Sequence, residues 1–358
     1  MQPGSRTTLA LSLIIAAIPV FAQRSPRTQL SHTTESLRGV SVVSPEIAWA
    51  SGTHGTYLRT SDGGYIWTPE QLPGAESLDF RAVVAFSADE AFLMAAGPGE
   101  QSRIYHTTDI GRHWQLQFMN KNPKGFFDCM AFWDRTHGVV VGDPVPDEGG
   151  KLKFEVLMTL NGTTWTQIPP ARLPPAAEGE GAFAASNSCL AVLSAGGAAD
   201  DGNIWFATGG KVARVFHSPD RGQTWEVLAT PIMHGADSTG IFSIAFRDPL
   251  HGAIAGGDYK HPEKDGPNLA FTNNGGTTWS VSKIFPQSYY SAVTYDRGRK
   301  DPRRPRLFIV GPKFVYDFRP PRNPTRVSEH GVQFNAIAAF PQGGALVVGP
   351  KGTIASIP

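Results

Sequence analysis

The sequence predicts an all-β protein, a seven-bladed β-propeller of four-stranded antiparallel blades. Three observations predict it. A turn phrase ending in Trp recurs along the chain, a short apolar run ending in Gly alternates with it, and a second apolar run precedes each Gly-ended one. Repeats spaced by about 40–50 residues mark one supersecondary unit copied around an axis. Four short strands per unit and seven units make a closed propeller.

The turn phrase reads Thr60-Ser-Asp62-Gly-Gly64-Tyr-Ile-Trp67 at its first appearance. It returns ending at Trp114, Trp225 and Trp279, with a shortened copy, Thr159-Leu-Asn161-Gly-Thr-Thr-Trp165, between the second and third. Asp or Asn accepts backbone N–H bonds across the turn, and Gly supplies the positive φ. The Trp rings are expected to be buried between neighbouring blades. Gly-ended strands are predicted at 48–52, 92–97, 138–142, 204–209, 252–256, 307–311 and 345–349. The strands before them, 38–43, 81–86, 128–132, 188–192, 242–246, 291–295 and 335–340, are the innermost strands of the blades. The long gap between Gly142 and Gly209 predicts an insertion near 169–179. The seventh unit has three strands, so residues 27–33 are expected to supply its fourth. Closing the ring this way removes a free sheet edge.

Composition sets bounds. Charged residues are 18% and hydrophobic residues 41% of the 358, which is ordinary for a globular chain. A formal net charge of +1 leaves no global field for nucleic acid or an anionic membrane. Residues 1–22 read as a signal peptide, with Arg6 as the positive region, an apolar run from Leu9 to Ile18, and small residues that place cleavage after Ala22. That run is too short to span a bilayer. The expected product is a single exported domain, 23–358, periplasmic or secreted, and monomeric. Cys129 and Cys189 lie in apolar runs and lack the spacing of a metal or redox pair. Export permits a disulfide, but buried free thiols are the favoured reading.

The repeats resemble the bacterial BNR or Asp-box repeat. From Leu37 to Ile357 the chain resembles the propeller family of the photosystem II stability and assembly factor, and most closely an exported bacterial branch of it. The stretches that carry the resemblance are Gly125-Phe-Phe-Asp128, Gly142-Asp143-Pro144, Gly179-Glu-Gly-Ala-Phe-Ala-Ala-Ser-Asn187, Thr208-Gly-Gly210 with Arg214, Gly240-Ile-Phe-Ser243, and Gly256-Gly-Asp258-Tyr259. The resemblance implies a propeller with a binding role.

Propeller ligands gather where innermost strands begin. Aligning those strands puts Arg38, Arg81, Tyr290 and Asn335 at equivalent starting positions, with Asp128 and Ser291 one residue later. Asp143 and Asp258 follow the Gly-ended strands, and Glu180, Ser186, Asn187 and Arg214 come from the fourth blade and its insertion. This set reads as a mixed Arg and carboxylate pocket for a protein, a glycan or a small polar ligand, or as a polar plug satisfied by water and by itself. The alternative is sialidase-like hydrolysis, with Arg38, Arg81 and Arg214 holding a carboxylate, and Tyr290, Glu180 and Asp143 as nucleophile, activator and acid. Arg38 is followed by Gly39-Val40, which departs from the sialidase Arg-Ile-Pro. No Gly-rich dinucleotide loop suggests a cofactor, and the scattered His residues suggest no metal. The basic run 297–306 reads as a solvated loop or a docking patch.

Overall fold

The computed structural model describes residues 26–193, 202–284, 288–298, 303, 305–312, 314–319, 323–327 and 332–358. The expected signal peptide and part of the basic run lie outside the described residues. Seven antiparallel sheets make up the molecule. Innermost strands touch in cyclic order, and the seventh returns to the first. Among the described residues the helical elements are two 3-10 turns, Gly99–Gln101 and Pro170–Arg172.

The first blade runs Leu37–Val42, Ala48–Gly52, Thr56–Thr60 and Thr68–Gln71, and the second Asp79–Ala85, Ala91–Ala96, Arg103–Thr107 and Gln115–Met119. The third runs Phe127–Phe132, Gly138–Pro146, Leu152–Thr159 and Thr166–Gln167, and the fourth Leu190–Val192, Ile204–Ala207, Arg214–Ser218 and Glu226–Ala229. Blade five runs Thr239–Phe246, Gly252–Asp258, Leu269–Thr272 and Ser280–Val281, and blade six Ala292–Tyr295, Leu307–Gly311, Phe314–Phe318 and Thr325–Arg326. Blade seven has Ala336–Ala339, Ala345–Val348 and Ile354–Ile357 from the end of the chain, and Arg27–Gln29 pairs with Ile354–Ile357 to complete it. The predicted closure is therefore present, over a shorter segment than 27–33.

Blade five departs from the four-strand rule. Glu180–Gly181 pairs with Gly209–Gly210, which in turn pairs with Gly240, so its sheet has six strands. The insertion after blade three thus reaches over the inner edge of blade five.

The Trp-ended turns share one hydrogen-bond pattern. In the first, Thr60 Oγ1 donates to Asp62 Oδ1 (2.8 Å), and the N–H groups of Gly64 and Ile66 donate to Thr60 Oγ1 and Asp62 Oδ1 (both 3.0 Å). The same pattern recurs at Thr107 and Asp109, Ser218 and Asp220, and Thr272 and Asn274. Each turn also donates a backbone N–H to the hairpin between the first two strands of its blade, as from Gly63 to Glu46 O and Gly275 to Leu250 O. These turns lie on the face where innermost strands end, here the trailing face. The opposite one is the leading face. Trp67 and Trp165 are buried, but Trp114, Trp225 and Trp279 keep part of their surface exposed against the blade cores, which corrects the expectation of uniform burial.

Two further expectations change. Cys129 and Cys189 are disulfide-bonded, not free. Cys129 lies in the innermost strand of blade three and Cys189 directly precedes that of blade four, 6.0 Å apart at Cα, which suits a bridge. Arg306, at the end of the basic run, is neither solvated nor available for docking. It is buried between Asp296 (Nη1 to Oδ2, 3.0 Å) and Asp317 (Nη2 to Oδ2, 2.9 Å).

Candidate functional site

The leading face begins with a ring of β-bulges. The pairing of the first two strands shifts register at Arg38, Arg81, Asp128 and Phe242 in blades one, two, three and five. A bulge leaves its extra residue outside the ladder and redirects its side chain. Asp128 is therefore equivalent to Arg38 and Arg81, rather than one residue out of step. Tyr290 belongs elsewhere. It is 1% exposed and packs with Ala253, Leu269, Val293 and Ile309 between blades five and six.

The insertion crosses this ring, and several predicted residues hold it. Arg81 Nη1 donates to Ala184 O (2.8 Å), and Asp128 accepts the Ala184 N–H. Asp143 Oδ1 accepts from Ala182 N (3.0 Å). Asn187 Oδ1 accepts from Met130 N (2.7 Å), with Asn187 in left-handed conformation at φ 57°. Ser186 Oγ donates to Ser291 O (3.1 Å), and the ring of Phe183 stacks on Phe242 at 3.9 Å. Residues 182–188 thus lie across the channel mouth as a plug tied to blades two, three, five and six. Behind it the channel, a cavity of ≈ 800 Å³, ends at Asn187 and Ser188 and opens on the trailing face past Asp296 and Arg306.

The remaining predicted residues have structural partners. Glu180 takes Arg214 in a two-point ion pair, with Nε to Oε1 at 2.9 Å and Nη2 to Oε2, and accepts from Thr208 Oγ1 (2.6 Å) and Ala177 N (2.7 Å). That pair anchors the root of the insertion. Asp258 caps its own loop through His261 Nδ1 (2.9 Å) and the N–H groups of Lys260 (3.1 Å) and His261 (3.3 Å). Asn335 Nδ2 donates to Leu37 O (2.8 Å), joining blade seven to blade one.

Burial dominates the electrostatics. Asp128 is 1% exposed, and burial, followed by the nearby Asp143, drives its carboxyl well above the usual range. Burial lifts Asp143 to about 6, against the hydrogen bond from Ala182. Across the mouth, burial and then the Arg81 charge lower the Arg38 pKa. Arg81 pairs with Asp79 (Nε to Oδ2, 2.7 Å). Arg38 is half-buried and makes no ion pair or hydrogen bond among the described residues. Tyr259 stands nearby with 47% of its surface exposed, its ring edge-on to Phe242 at 6.0 Å.

Asp79, Phe183, Phe242, Tyr259 and Tyr289 complete this face and were not among the site residues expected from sequence. Asp79 had a signal, its place two residues before Arg81 on one strand face. Phe183, Phe242 and Tyr259 lie in the stretches that carry the family resemblance, but their stacking was not readable, because Phe183 reaches Phe242 only through the insertion. The sialidase-like constellation is not assembled. Burial raises the Tyr290 phenol, which has no access to solvent, and Glu180 is committed to Arg214.

A family model described as photosynthesis system II assembly factor YCF48 matches residues 21–125. The photosystem II assembly protein Ycf48 of Synechococcus sp. (strain JA-2-3B'a(2-13)) is 23% identical over 270 residues, 59% of this chain and 80% of that protein. The chain is a BNR-repeat propeller that resembles the photosystem II assembly factor family. The solved structure of YCF48 from Cyanidioschyzon merolae shares the fold of this assembly factor-like propeller with a TM-score of 0.62 and 17% identity, over 93% of this chain and 98% of that one. A GH74 xyloglucanase from Xanthomonas campestris also superimposes (TM-score 0.63, 15% identity), over 92% of this chain and 53% of its own. Identities this low establish the common architecture alone.

Proposed function

We propose that this assembly factor-like propeller is a non-catalytic, exported docking module that grips a segment of a partner protein on its leading face. One observation carries the reading. Two equivalent bulges present arginines, and Arg81 already holds a backbone carbonyl of the plug, while Arg38 has no acceptor. A guanidinium in that setting favours a carbonyl or carboxylate brought by a partner. Tyr259 adds exposed aromatic surface of the kind enriched at protein interfaces. The similarity to a protein named for photosystem II assembly favours a protein partner over a glycan.

Export is part of the proposal. The Cys129–Cys189 bridge suits an oxidising compartment, and the apolar run at 9–18 suits a leader removed after Ala22.

Photo-crosslinking tests the docking face. With p-benzoylphenylalanine in place of Tyr259, an envelope extract is expected to give one discrete protein adduct, weakened at least about tenfold by Arg38→Ala, because a charge-assisted contact is lost. The same probe in place of Tyr65, exposed on the trailing face, should give none. Equal adducts from both positions, or indifference to Arg38→Ala, contradict the reading.

A further inference from the structure

A second cavity lies away from the channel mouth, in the cleft between blades two and three. It measures ≈ 740 Å³ and is walled by Phe118, Phe127 and Val145. Two ionisable side chains, Lys153 and Glu155, line it from one strand, two residues apart and so on the same face. Both are buried, at 9% and 5% exposure.

Their partners leave an imbalance. Lys153 Nζ donates to Leu173 O, and it has no ion pair among the described residues. Two of its three N–H donors remain unspent. A buried ammonium without a counter-ion is costly, so an anion brought to it is favoured. Glu155 does not supply that anion. Its Oε2 instead accepts from Asn120 Nδ2 (2.8 Å), and it forms no ion pair with Lys153 among the described residues. The rim carboxylates, Asp147 and the exposed Glu148, form no ion pair with Lys153 among the described residues. Asp147 is turned back on its own hairpin tip, accepting from Gly149 N and Lys151 N (both 2.9 Å), and Lys121 pairs outside with Glu100 (2.8 Å). The interior therefore offers one unneutralised cation beside an aromatic and aliphatic wall. Small-molecule sites combine apolar walls and a few inward polar groups in this way.

We propose that this cleft binds a small carboxylate with an apolar, ring-sized body, its carboxylate on Lys153 and its body against Phe118, Phe127 and Val145. The site is separate from the docking face and does not depend on it.

Calorimetric titration of the wild-type protein with 3-phenylpropanoate and with 3-phenylpropanamide tests the proposal, because the two probes differ mainly in charge. The acid is expected to bind at least about tenfold more tightly than the amide, the size of one charge-assisted hydrogen bond. Lys153→Met, of similar length and without charge, should abolish that preference, and Lys121→Met should leave it intact. Equal affinity for acid and amide, no heat from either, or a preference that survives in folded Lys153→Met would overturn it. The wild-type comparison decides the matter even if Lys153→Met fails to fold.

Discussion

Trp67→Ala should destabilise the protein by about 3–5 kcal/mol, the range for removing a large aromatic ring from a packed core. Trp67 is 1% exposed and sits between the first and last blades among Leu37, Leu58, Leu346, Val348 and Ile354. Its indole N–H donates to Gln29 Oε1 (2.8 Å), and Gln29 ends the strand that closes the ring. Gln29 Nε2 in turn donates to Gly63 O (3.3 Å), within the same turn. The substitution therefore opens a cavity at the one joint made by both ends of the described chain. Trp225→Ala removes a ring that is already partly exposed and should cost less. Urea unfolding of both variants measures the difference. Equal losses, or an unchanged midpoint for Trp67→Ala, would show that the closing joint does not depend on this ring.

Arg306→Met should cost a comparable amount, about 3–5 kcal/mol, because it leaves buried carboxylates without their partner. Arg306 Nε and Nη2 each reach Asp317 at 2.9 Å, Nη1 reaches Asp296 at 3.0 Å, and Nη2 also donates to Pro358 O (2.6 Å). Arg319 still serves Asp317 (2.7 Å) when Arg306 is lost, so Asp296 carries most of the penalty. Adding Asp296→Asn to Arg306→Met should accordingly recover much of the stability, since a neutral amide costs less to bury than an unpaired charge. Thermal unfolding of the single and double variants provides the check. Additive losses would contradict the charge-orphaning explanation.

Arg306 also shows where sequence reasoning stops. Within a basic run it has the same local signature as a solvated arginine, and its burial follows from Asp296 and Asp317 on neighbouring strands of blade six. The architecture was legible because it rests on local recurrence. The Thr60–Asp62–Gly64–Trp67 pattern returns with its spacing intact, and each copy folds through contacts a few residues long. The disulfide was not legible, because Cys129 and Cys189 are 60 residues apart and meet only when adjacent innermost strands are brought together. The one-residue misplacement of Asp128 has a similar origin. A bulge inserts a residue that strand alignment does not count, so Arg38, Arg81 and Asp128 share a station that their distance from the end of the strand conceals. The polar character of the mouth was readable in those residues. What satisfies them was not, because the plug comes from an insertion with no counterpart in the other blades.

That plug makes the leading face a closed surface rather than an open channel, and its position can be measured. No free cysteine occurs among the described residues, so a single introduced thiol reports on its own site. Ala184 is a buried residue of the plug, held between Arg81 and Asp128, and Tyr259 is exposed beside it. Maleimide labelling of Ala184→Cys should be slower than labelling of Tyr259→Cys by at least about tenfold, because it must await local opening. Equal labelling rates at the two positions would mean that the mouth is open and that the account of this face is wrong.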